Sequence, residues 1–208
     1  MALIELIQQG QSEAAFALLE HNPEIADEVG EDGVSAAMLA LYLGQRDLAE
    51  QIASHKFELT VHEAAAFGRI VHLEKLLTDD NKESFSPDGF QPLHLAAFFG
   101  RQDAVKVLLG SRVDLDTLSN NALGVAPVHS ALANAHETVA RELVYEGADV
   151  NLASSSGWTP LHYAAHLGNR PLALFLKEHG AEPKAGPEGK FPKDLAEEKG
   201  HQELVEVL

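Results

Sequence analysis

Apolar positions along this chain fall in short helical stripes, each closed by a glycine or its equivalent. In Thr159-Pro160-Leu161-His162-Tyr163-Ala164-Ala165-His166-Leu167-Gly168, the residues Leu161, Ala164 and Ala165 sit at three- and four-residue spacing and share one helical face. Thr159 is placed to N-cap that helix with its hydroxyl. Pro160 fills the first helical position, where no N–H is needed, and Gly168 supplies a left-handed residue to end it. A second apolar stretch follows each such block, as in Ala104-Val105-Lys106-Val107-Leu108-Leu109, and a loop then runs to the next Asp-Gly or Ser-Gly turn. The pattern predicts pairs of short helices with projecting turns and no continuous sheet.

The block recurs. Residues 91–100 (Gln91-Pro92-Leu93-His94-Leu95-Ala96-Ala97-Phe98-Phe99-Gly100) and 126–135 (Ala126-Pro127-Val128-His129-Ser130-Ala131-Leu132-Ala133-Asn134-Ala135) are copies, with weaker ones at 3–10, 35–44, 61–68 and 191–200. Their last residues fall at 10, 44, 68, 100, 135, 168 and 200, so the spacings are 34, 24, 32, 35, 33 and 32. This period and the Thr-Pro-Leu-His signature resemble the ankyrin repeat, a β-turn plus two helices. Gly147-Ala148-Asp149-Val150-Asn151 matches the family's end-of-repeat pattern.

The resemblance spans the chain. It implies an all-α ankyrin-repeat solenoid of stacked helix-turn-helix units with projecting β-turns or hairpins, because no single unit can bury its apolar face alone. The expected organisation is one domain, 1–208, of about seven repeats: 1–29, 30–55, 56–84, 85–119, 120–152, 153–185 and 186–208, the first and last acting as caps. Two departures stand out. The spacing of 24 between Gly44 and Gly68 leaves Lys56-Phe57-Glu58 too brief for a projecting hairpin. A gap in the row of turns is expected there, making Tyr42 and Phe67 more accessible. Repeat five ends its first helix at Ala135, where a left-handed alanine is costly, so an altered turn is expected.

Composition narrows the functional classes. There are no cysteines, which excludes disulfides, thiolate metal sites and a cysteine nucleophile. His62-Glu63 opens like a zinc-protease helix, but Ala66 stands where the second histidine would be. No glycine-rich phosphate loop, nucleophile elbow or dinucleotide fingerprint is present. The histidines His62, His94, His129 and His162 occur one per repeat at the signature position, which in the family is structural. No catalytic residue, cofactor or metal is therefore expected, and the chain reads as a non-enzymatic binding module.

The net charge is -17, from 32 acidic and 15 basic residues, which disfavours nucleic-acid phosphates and anionic lipid. Residues 1–60 hold 11 acidic and 2 basic side chains, a net of -9, so the charge density is highest at that end. No window is long and apolar enough to span a membrane, and Met1 to Gln9 lacks a basic segment. A cytoplasmic location is the first reading, with export and a removed leader as the alternative.

In ankyrin proteins, partners are gripped by the turn tips and the exposed part of the first helices. The resemblance places that concave strip on Tyr42, Leu43, Phe67, Phe98, Phe99, His166 and Leu167, with Phe90 and Trp158 after the turn glycines. Six of the thirteen aromatics fall there, and an exposed apolar strip of this kind marks a contact site. The first inter-repeat turn adds an acidic cluster with Glu24, Asp27, Glu28, Glu31 and Asp32. Together these predict one folded protein partner with an apolar patch rimmed by Lys or Arg, held by a chain that is monomeric when free. Sequestration or inhibition is the first reading, with a multi-partner scaffold or a passive tether as alternatives.

Overall fold

The structure, a computed structural model, describes residues 2–208. Seven pairs of α-helices follow one another: α1 (Leu3–Gln8) with α2 (Ser12–His21), α3 (Ala36–Tyr42) with α4 (Arg46–His55), α5 (Val61–Phe67) with α6 (Ile70–Leu76), α7 (Pro92–Phe98) with α8 (Gln102–Gly110), α9 (Pro127–Ala133) with α10 (Glu137–Tyr145), α11 (Pro160–Leu167) with α12 (Arg170–Glu178), and α13 (Pro192–Glu198) with α14 (Gln202–Val205). First helices stack on first helices, as in α5–α7–α9–α11–α13, and second helices on second helices, as in α6–α8–α10. The result is a two-layered, all-α solenoid. Its turns form no strand among the described residues; a single isolated bridge joins Val29 to Ser35.

Small residues let the first helices approach one another. Ala64, Ala65, Ala96, Ala97, Ala131, Ala164 and Ala165 are all fully buried, as are the leucines Leu93 and Leu161 beside them. Gly68, Gly100 and Gly168 take left-handed conformations that end their helices, and the next residue's N–H bonds back to an alanine carbonyl. Ala135 does the same with φ of 56°: its N–H donates to the Leu132 carbonyl and that of His136 to the Ala131 carbonyl. The altered turn expected at this position does not occur. The flanking helices impose the turn, and the alanine absorbs the strain.

The core divides in two. One cluster gathers Leu3 through Phe67 together with Leu95, and the other runs from Val61 to Leu204; they meet on α5. At this junction α3 packs less closely on α5 than the other first helices pack on one another. Here too the chain passes from Lys56 to Thr60 without a projecting turn. The gap is not open, which corrects the expectation of accessible rings. The turns on either side lean together until Gly33 lies against Pro87. The Tyr42 hydroxyl donates to Asp88 at 2.6 Å, Tyr42 is half-buried, and Phe67 is only 5% exposed.

Beneath the two turns is a buried ionic cluster. The Lys56 ammonium lies 3.1 Å from Glu63, with side-chain exposures of 7% and 3%. Ser35 donates to the same carboxylate oxygen at 2.6 Å, and the Thr60 N–H donates to the other at 2.8 Å. Asp27 completes the cluster from the rim, 3.6 Å from the Lys56 nitrogen. A buried ammonium and carboxylate are tolerable only when paired and hydrogen-bonded in this way.

Candidate binding surface

The signature histidines hold the scaffold that carries the surface. His62, His94, His129 and His162 each direct Nε2 at a backbone carbonyl in the loop leading to the next helix pair: Ser84 at 2.8 Å, Val125 at 2.9 Å, Leu152 at 3.0 Å and Lys190 at 3.3 Å. Because the partner is a carbonyl, Nε2 carries the hydrogen. Nδ1 of His129 then accepts from the Ala126 N–H and Nδ1 of His162 from the Thr159 N–H. The Thr159 hydroxyl also engages His162 Nδ1, at 2.9 Å, so it does not cap α11 directly as its position in the sequence suggests. Burial pushes all four imidazoles below their ordinary range, His94 and His129 to about 4, which keeps them neutral. No three metal-ligating side chains converge among the described residues.

The aromatic residues form two separate clusters on the first-helix face. In the first, the Tyr42 ring lies 5.5 Å from Phe99 and 6.1 Å from Phe98, which meet each other edge to face at 5.0 Å. Phe90 stands nearby, half-buried and 6.1 Å from the His94 ring. In the second, Trp158 packs edge-on to Tyr163 at 5.0 Å and to His166 at 5.4 Å. The exposed pair Ala133 and Asn134 lies between them along the row of first helices, so the rings do not make one unbroken strip. Leu43 and Leu167 are 51% and 41% exposed at the ends of their helices. Phe67 does not belong to this surface, because the rings of Tyr42, Phe98 and Phe99 close together above a recessed α5 and leave it in the core.

Sequence reasoning missed several apolar residues. Tyr163 lies inside the signature and looks like a core position; it is half-buried against the core and meets the Trp158 ring edge to face. Phe57, 88% exposed, stands at the shortened connection. Tyr145 projects from α10 on the second-helix layer, where it meets Phe175 at 5.2 Å beneath the guanidinium of Arg141. No pattern in the sequence marks Phe57 and Tyr145, because their exposure depends on which neighbours fail to cover them.

The acidic cluster is not purely superficial. The Glu28 carboxylate is half-buried and accepts the Leu3 N–H at 2.8 Å, satisfying an otherwise free donor at the start of α1. Asp27 serves Lys56, and Asp32 accepts from Val34 within its own turn. Glu31 and Asp32 remain exposed. Glu28 and Asp27 therefore serve the fold, while Glu31 and Asp32 stay exposed.

Comparisons with known proteins agree with this architecture. A family model for ankyrin repeats in three copies matches residues 61–154 and 128–208. The chain is 34% identical over 131 residues to the tyrosine-protein kinase Shark of Drosophila melanogaster, covering 62% of this chain and 14% of the relative. It is 30% identical over 149 residues to the ankyrin repeat protein nuc-2 of Neurospora crassa, covering 71% of this chain and 14% of the relative. Against neurogenic locus notch homolog protein 2 of Homo sapiens it is 34% identical over 127 residues, 60% of this chain and 5% of the relative. The chain thus spans about a seventh or less of these relatives. No helix among the described residues is long and apolar enough to cross a membrane. The family match covers well over half the chain, and the helix pairs continue through residues 2–60 outside it: the chain belongs to the ankyrin-repeat family.

Proposed function

We propose that this chain holds one folded protein partner on the face formed by its first helices, and that it acts by covering that partner. Ankyrin repeats are in general protein–protein interaction modules. The observation that carries the finer reading is the pair of half-buried aromatic clusters, Tyr42–Phe98–Phe99 and Trp158–Tyr163–His166, on a scaffold whose core is already filled by Leu and Ala. Trp and Tyr are favoured interface anchors, because each offers a large amphipathic surface with few rotatable bonds. Residues 1–208 serve as one domain of about seven repeats, and Glu31 and Asp32 present negative charge to a basic rim on the partner.

The test is a binding isotherm with the captured partner, run beside a denaturant melt. Phe98→Ala and Trp158→Ala should each weaken binding by roughly 1 kcal/mol or more and lower folding stability by less than a core truncation does. Leu161→Ala should do the reverse, costing about 2–5 kcal/mol of stability as a fully buried truncation. Unchanged affinity in both aromatic variants would overturn the reading.

A further inference from the structure

The first aromatic cluster borders a concentration of positive charge that a chain of net charge -17 does not suggest. A pocket of about 380 Å³ opens where the first helices end. Tyr42, Phe98 and Phe99 line one side, Arg46, Arg101 and His136 the other, and no carboxylate lines it.

The cations are held there without neutralisation. Arg46 is one of only two basic residues in 1–60; the other, Lys56, is used in the buried cluster. Arg46 is exposed and has no ion-pair partner among the described residues. Arg101 spends Nε on the Ala66 carbonyl at 2.9 Å, which orients its guanidinium without cancelling its charge. Neighbouring Arg69 is the one cation here with a carboxylate of its own, that of Glu50. Burial lowers the proton affinity of Arg101; Glu50 opposes that, and the charges of Arg46 and Arg69 add to it. Burial likewise lowers His136, with Arg101 and Arg46 acting in the same direction and the Phe98 backbone opposing. Carbonyls at the ends of the first helices attract cations, which explains the Arg101 Nε bond to Ala66. It does not explain Arg46, which bonds to no carbonyl.

We propose that this pocket receives a carboxylate side chain from an acidic peptide segment of the partner, with an apolar side chain next to that carboxylate lying on Phe98 and Phe99. The proposal rests on the first-helix face being the binding surface. Guanidinium forks match carboxylate geometry in two parallel hydrogen bonds, and strongly so where the pair is partly removed from water. The rings beside them reward an apolar neighbour, which a free anion lacks. The partner would then be acidic at this edge, the reverse of the basic rim that faces Glu31 and Asp32.

The experiment is an NMR titration of the ¹⁵N-labelled chain, following the arginine Nε–H signals and the backbone amides of Phe98 and Phe99. The probes are acetyl-Leu-Glu-Phe-Glu-Leu-amide, the same peptide with glutamine at both acidic positions, and inorganic phosphate. The glutamate peptide should shift the Arg46 and Arg101 signals saturably, the glutamine peptide should bind at least tenfold more weakly, and phosphate should give no saturable shift. Arg46→Glu should abolish the response while its melt matches that of the parent, since Arg46 has no intramolecular partner to lose. Equal response to the two peptides, saturation by phosphate, or no shift at millimolar peptide would each overturn the proposal. A silent pocket combined with weakened partner binding in Trp158→Ala would remove this inference alone. Partner binding indifferent to Phe98 and Trp158 would instead remove the reading of the face itself.

Discussion

From α7 to the end, and across residues 2–60, the molecule builds the same helix pair but fastens it differently. His94, His129 and His162 each tie their repeat to the next through a neutral, hydrogen-bonded imidazole. No histidine lies in α1 or α3. Between repeats two and three the tie is Ser35 to Glu63 to Lys56, an ionic cluster set where the projecting turn is missing. Repeat three stands at the boundary and carries both devices, with His62 bonded forward to Ser84 and Glu63 bonded back to Ser35. The stacking of helix pairs therefore requires that each buried polar group find a partner in the next unit, and the chemistry of that partner can change. The two fastenings differ in their sensitivities: one responds to pH, the other to loss of a single charge.

The largest expected effect breaks the ionic fastening. Lys56→Ala leaves Glu63 buried without its counter-ion, which should cost about 3–5 kcal/mol. Amide hydrogen exchange should show the loss concentrated in residues 2–60, because the two core clusters share only α5 and Leu95 of α7. A uniform loss of protection through α13 would mean that the two regions unfold as one.

Acidification should strain the histidine fastening. His94 and His129 have folded-state values of about 4, below the ordinary value of 6.5 that they regain on unfolding. Above pH 6.5 both states are neutral and the full stability is present. As the pH falls from 6.5 toward 4 the unfolded chain takes up protons first, so stability is lost across that window. At pH 5 the loss should be roughly 2 kcal/mol for each of the two histidines, read from denaturant midpoints across a pH series. A flat profile between pH 7 and 5 would contradict neutral burial of these rings.

A smaller change sharpens the comparison from the stabilising side. Ala135→Gly relieves a left-handed alanine at the one helix end of this set that lacks glycine. Glycine is more costly to order, so the net gain should be about 0.5 kcal/mol, visible as a small upward shift of the denaturant midpoint. The smallest effect concerns charge. Glu31→Gln with Asp32→Asn removes exposed negative charge while keeping an acceptor for the Val34 N–H. The melt should be unchanged. The partner on-rate should fall several-fold at low salt with little change in off-rate, and an on-rate indifferent to both salt and substitution would leave these charges no role in docking.

The sequence alone determined the family, the period, the helix-ending glycines, the shortened connection between repeats two and three and the inter-repeat role of the histidines. All of these depend on local spacing or on a signature that recurs, and both can be read without knowing what lies across the solenoid. It also determined most of the candidate aromatics, because first-helix positions repeat in register with the glycines. Only the tertiary structure decided which of them remain at the surface. Phe67 went to the core because the rings of its neighbours meet above it, while Tyr163 stays half-buried beside Trp158 and Phe57 came out because nothing covers it. The same holds for charge. Glu28 and Asp27 look alike in the sequence, yet one satisfies the start of α1 and the other serves Lys56. Arg46, Arg101 and His136 are 35 or more residues apart along the chain, beyond any local pattern, and stacking brings them to one pocket. Exposure, pairing and convergence depend on neighbours supplied by other repeats, and only the folded stack brings those neighbours into place.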